Sequence, residues 1–166
     1  MGGKVSDPIA VQVIAHVEML IGSIIRIANG YYFDLPADSV LDLKKDLETD
    51  GSGLLRVSVY SSSFENRQQG DEAAYSQVMT TMHCHIDGCI AVQADYEKEV
   101  GRAMADLEKA VMKDISQGGL CLNTWFLGGE KYGLQPNSFG NFTVNFDVVL
   151  RHAVNDPSAE YQTTYN

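Results

Sequence analysis

Residues 78–93 constrain the fold more than any other stretch. Their even positions read Val78, Thr80, Met82, Cys84, Ile86, Gly88, Ile90 and Val92, and their odd positions Met79, Thr81, His83, His85, Asp87, Cys89, Ala91 and Gln93. Apolar side chains keep to one parity, and most polar ones to the other. A period of two belongs to a β-strand with one buried face. Asp87-Gly88 has the composition of a hairpin turn. A two-residue turn would pair Ile86 with Cys89 and reverse the parity, which instead continues. The stretch therefore predicts one long strand, bulged at Gly88. At about sixteen residues it exceeds the common strand length, so one end is expected to protrude beyond the sheet.

A long strand with one apolar face needs neighbours and a cover. Phe142, Val144, Phe146, Val148 and Leu150 alternate with Asn141, Thr143, Asn145, Asp147, Val149 and Arg151, which predicts a second half-buried strand. Leu55, Val57 and Val59 predict a third. Leu122, Thr124 and Phe126 predict a fourth, with Trp125 on its other face, and Tyr31–Phe33 a short fifth. Two helices supply the cover. Asp7-Pro8 opens the first, whose apolar stripe Ile9, Val13, Val17, Leu20, Ile24 and Ala28 is joined by a second stripe of Ile14, Met19, Ile21 and Ile25. Asn29-Gly30 ends it. Asp95 caps the second helix, with Val100, Ala103, Met104, Leu107, Ala110, Val111 and Ile115 as its buried stripe. Glu97 and Glu99 near its start and Lys109 and Lys113 near its end suit the helix dipole, and Gly118-Gly119 stops it. The order predicts an α+β fold: a mainly antiparallel sheet with two helices on one face.

The chain of 166 residues fits one such domain, expected over residues 1–152. Residues 61–76 are polar and patternless and read as an extended or mobile loop. Residues 128–140 read as a Gly-rich loop, and 153–166 as a C-terminal tail.

Charge excludes several functions. Lys and Arg number 12 and Asp and Glu 22, a net charge of −10. DNA-gripping proteins and binders of anionic membranes need a cationic surplus, which is missing. A surface that DNA slides past without sticking remains compatible, because an acidic wall repels the duplex. Three cysteines are too few for a disulfide framework and suggest a reducing compartment. The first residues do not read as a signal peptide. They match a loose myristoylation pattern at Gly2 and Ser6, with no polybasic second signal beside it, and lipidation is not expected. The apolar stretch 19–28 is too short to span a bilayer.

Candidate chemistry is sparse. His83, His85, Asp87 and Cys89 fall on one strand face and form the only metal-like constellation, but a straight strand does not wrap its side chains around one ion. A polar, solvated sheet face is the plainer reading. Cys84 has the apolar parity and reads as core rather than nucleophile. Residues 128–133, Gly-Gly-Glu-Lys-Tyr-Gly, lack the Gly-Lys-Ser/Thr ending of a phosphate loop. No motif assigns the roles an active site requires, so neither catalysis nor a cofactor is expected.

Three segments carry a resemblance. They are the apolar helix ending at Asn29-Gly30-Tyr31-Tyr32-Phe33, the strand-to-helix passage from His83 through Asp95 to Lys113, and the closing strand 142–150 with its Asn155-Asp156-Pro157 exit. Together they span most of the chain, which resembles the tail terminator proteins of long-tailed bacteriophages. The resemblance implies a virion protein assembled in the host cytoplasm, without catalysis. It implies a self-assembled, typically hexameric ring on the head-proximal end of the tail tube, where it stops polymerisation. Its partners would be the tube protein, a neck or connector protein and, in a contractile tail, a sheath terminator, with DNA passing through the lumen. Within that picture Ile14, Ile21 and Ile25 are candidate subunit contacts. Phe64 and Arg67 are candidate loop contacts, and Tyr161 and Tyr165 candidate tail contacts, since aromatics and Arg favour interfaces. Another neck ring (a stopper, adaptor or tail-completion protein), an adaptor acting through sheet edges and a small metal-binding protein or hydrolase using His83, His85, Asp87 and Cys89 are the alternatives.

Overall fold

A computed structural model describes residues 6–41, 55–69, 77–135, 139–153 and 156–160. Helix α1 (Ile9–Ile24) is followed by two short 3-10 turns and the two-residue strand β1 (Val40–Leu41). Then come β2 (Arg56–Gln69), β3 (Gln77–Ala91), helix α2 (Tyr96–Val111), β4 (Asn123–Gln135), β5 (Phe139–Ala153) and β6 (Asp156–Glu160). The sheet order is β1-β2-β3-β5-β4, with β6 paired to the end of β5. Only the β1–β2 pair is parallel. The fold is α+β, as the alternating patterns imply.

The centre of the sheet is the β3–β5 pair, which runs in unbroken register from Gln77 opposite Ala153 to Ala91 opposite Phe139. It brings Met82, Cys84, Ile86 and Ile90 of β3 beside Phe142, Val144, Phe146, Val148 and Leu150 of β5, all buried. Both helices pack on this apolar face and no helix covers the other face among the described residues. Ile9, Val13, Val17 and Ile21 of α1, with Ile25 just beyond it, and Val100, Ala103, Leu107, Ala110 and Val111 of α2 complete the core.

Local signals set the start of α2, whereas α1 has no side-chain cap and ends at Ile24, before the expected Asn29-Gly30. The Asp95 carboxylate accepts from the Lys98 N–H at 3.1 Å. Glu99 reaches back to the N–H groups of Gln93, Ala94 and Asp95. These bonds, those from Gln93 and Ala94 foremost, hold the Glu99 carboxyl below its ordinary pKa. Asp106 is a buried carboxylate on α2 that accepts from the Tyr32 and Phe33 N–H groups. It ties the α1–β1 connection to α2, and burial pushes its pKa up despite those bonds.

Several expectations are corrected. Residues 61–69 belong to β2 rather than to a loop, because their backbone pairs with β3 as far as Gln69 opposite Gln77. Residues 70–76 lie outside the described residues. Gly88 is not bulged: β3 stays in register there, and the irregularity falls in β2 between Ser61 and Ser63. β3 does not protrude, since β2 and β5 flank it along its length. Residues 128–135 continue β4 instead of forming a loop, and residues 156–160 of the expected tail form β6. Tyr31–Phe33 is a bend held by Asp106, not a strand. Helix α2 ends at Val111, so Ile115 lies beyond it and is half exposed.

Candidate functional site

The face of the sheet away from the helices is polar and organised in rungs. One rung runs from Ser58 through Asp87 to Thr143 and Glu130, the next from Tyr60 through His85 to Asn145 and Gly128, and the next from Ser63 through His83 to Asp147 and Trp125. Strand register alone brings these side chains together. The Thr143 hydroxyl donates to Asp87 Oδ1 at 2.6 Å, and the Tyr60 hydroxyl to the same oxygen at 3.2 Å. The Tyr132 hydroxyl donates to Thr143 Oγ1 at 3.1 Å. His85 bonds through Nδ1 to Asn145 Oδ1 and through Nε2 to the Ser62 hydroxyl, each at 2.6 Å, while the Tyr60 ring lies 5.2 Å from its own. His83 Nδ1 lies 2.6 Å from Asp147 Oδ1, and its Nε2 3.6 Å from Glu65 Oε1.

This arrangement perturbs its titratable groups in the directions Coulomb's law requires. The hydrogen bond to Asp147, with help from its charge and from Glu65, raises the His83 pKa against an opposing effect of burial. Burial, then the Asp87 carboxylate, pushes the Tyr60 phenol up to about 12. On the helix side, burial raises the Cys84 thiol to about 12, which leaves almost no thiolate at neutral pH and removes Cys84 as a nucleophile.

The four residues of the metal alternative do not converge. His83, His85 and Asp87 sit on successive rungs about 7 Å apart, and each is engaged with its own cross-strand partner. Cys89 is buried. Among the described residues no three His, Cys, Asp or Glu side chains form a group able to hold a metal ion. Ser62, His85 and Asn145 repeat the bonding order of a nucleophile, base and orienting amide. Ser62 is exposed on an open sheet face, however, and the two grooves near it lie on the helix side. Among the described residues neither groove reaches the relay from the polar face.

The subunit-contact candidates separate. Ile21 and Ile25 have no exposed surface, because they continue the four-residue spacing of Ile9, Val13 and Val17 into the chain's own core. They are corrected from partner contacts to core residues. Ile14 is half-buried and lines a groove of about 380 Å³ with Ala10, Val11, Val59 and Phe64. A second groove of about 250 Å³ shares Ala10 and Phe64 and continues to Leu150 and Pro157. Phe64 is 51% exposed between them. The extra residue at Ser61–Ser63 switches the strand's parity and turns Phe64 to the helix side, opposite Met82. Arg67 stands on β2 opposite Met79, but its side chain is outside the described residues, as are Tyr161 and Tyr165 entirely.

Strand β4 places Trp125 on the face opposite Thr124 and Phe126, as its pattern implies, and adds the exposed Leu127 and Tyr132 that sequence reasoning missed. Trp125, Leu127 and Tyr132 are 49%, 58% and 52% exposed along an edge strand. The available signal was a leucine on the wrong parity beside Thr124 and Phe126. No known family model matches the chain, and no curated protein matches it.

Proposed function

We propose that the chain is a structural ring subunit that terminates a bacteriophage tail, with no catalytic step of its own. The observation that carries this reading is the one-sided, open-edged sheet. Helices cover one face, the other presents a bonded polar surface, and β4 and most of β2 end the sheet without a strand neighbour among the described residues. Long uncovered edges invite pairing with another chain, and a subunit with two different edges suits a closed head-to-tail ring. Following the resemblance, the ring is a hexamer that caps the tube and meets the neck. Its helix layer, the bulkier one, takes the outside. Glu65, Asp87 and Asp147 then face the lumen, and with a net charge of −10 per chain the wall repels DNA rather than binding it.

Native mass spectrometry over a concentration series, with tail tubes added in a parallel experiment, tests the reading. A closed oligomer, and tubes that stop growing once capped, are the expected results. A chain that stays monomeric and leaves tubes growing in its presence sinks it.

A further inference from the structure

We propose that neighbouring copies join by antiparallel pairing of β2 residues 59–65 of one copy with β4 residues 123–129 of the next, so that the sheet runs on from subunit to subunit. This rests on the ring reading above and adds which surfaces meet.

Three observations lead there. The first is polarity. Strands β2, β3, β5 and β4 alternate in direction, so β2 and β4 run opposite ways. A copy placed alongside in the same orientation therefore presents β4 antiparallel to β2, with no inversion.

The second is height. Strand β1 covers the outer edge of β2 only at Val57 and Ser58, which leaves it open from Val59 among the described residues. Following the rungs across the sheet, Val59 is level with Gly129 and Glu65 with Asn123. Each segment contains one irregularity, Ser61/Ser63 on β2 and Phe126/Gly128 on β4. Both adjoin the same rung, Cys84 opposite Phe146. An unmatched bulge would slip the register by one residue and turn every later side chain to the wrong face. Two bulges at one height, one on each edge, keep the partners matched above and below.

The third is apolar surface. The open part of β2 is bordered on its helix side by the groove of Val11, Ile14 and Phe64, and β4 exposes Leu127 at its bulge and Trp125 on the polar face, level with Ser63. Pairing β2 with β4 satisfies both edges at every joint of a closed ring. A two-fold dimer through either edge leaves the other one bare.

Cross-linking between separately labelled copies tests the joint. Ser63 and Trp125 are exposed and level with one another on the His83–Asp147 rung, while the three native cysteines are all buried. Adjacent strands hold facing Cα atoms about 4.5–5.5 Å apart, within reach of a disulfide. Protein carrying Ser63→Cys is mixed with protein carrying Trp125→Cys and gently oxidised. The expected result is a reducible dimer band at least tenfold stronger in the mixture than in either protein alone, and a ladder of closed multiples from the double variant. An oligomer without that cross-link overturns this joint and leaves the ring reading standing. Cross-linking of the Ser63→Cys protein with itself also overturns it, in favour of a two-fold contact. Neither oligomer nor cross-link at any concentration overturns both.

Discussion

At the scale of single residues, close packing and local charge decide what the chain tolerates. A Cβ on Gly88 would lie 2.2 Å from the Phe142 ring, which sits directly opposite on β5 and is itself buried. Gly88→Ala should therefore lower stability by about 1–3 kcal/mol, the usual cost of overpacking. Urea unfolding measures it, and Phe142→Leu added to the variant should return part of the loss. His83 has a distinct pH signature. Its folded pKa is raised, mainly by Asp147. Its contribution is thus fully present below the ordinary histidine pKa and fades as pH rises through the folded value. The gap in urea midpoint between the wild type and Asp147→Asn should shrink between about pH 5.5 and about pH 8.5. A gap that widens over that range would contradict the pairing.

At the scale of elements, α2 is specified locally and the edge strands are not. Asp95 and Glu99 engage the free N–H groups at the start of α2. Asp95→Ala should cost about 1 kcal/mol, with the loss visible in the thermal midpoint by circular dichroism. The Glu99 share has the opposite pH sense to His83. Because its pKa is lowered, its stabilisation holds above the unfolded carboxylate value and is lost as pH falls through the folded one. Strand β2 contrasts with this. Residues 61–69 contain little that favours a strand by itself, and among the described residues β3 imposes the extended backbone from one side only. Its bulge then moves Phe64 to the helix face, where it separates two grooves.

At the scale of the molecule, each copy would bring a net charge of −10 to the proposed ring. Self-repulsion opposes closure, and salt screens it over about 10 Å at 0.1 M. The oligomeric fraction at fixed protein concentration should therefore rise between about 0.05 M and about 0.5 M salt. Analytical ultracentrifugation would follow the change. An oligomer that dissolves as salt is added would mean that ion pairs, rather than strand pairing and apolar contact, hold the joint.

The sequence by itself determined the α+β class, the unbroken strand through Asp87-Gly88, the one-faced helix cover and the cap of α2. Each rests on a periodicity or a local hydrogen bond confined to a few neighbouring residues. Tertiary structure alone decided the rest. Ile21 and Ile25 entered the core because four-residue spacing, not total apolarity, sets which side of α1 faces the sheet. Residues 61–69 became strand because β3 offered them partners, and residues 128–135 because β5 did. His83, His85 and Asp87 share a face in the sequence pattern, yet only register against β5 shows that each meets a different partner instead of a common ion. Strand order, bulge height and edge exposure depend on contacts between residues far apart in the chain, and no local pattern records them.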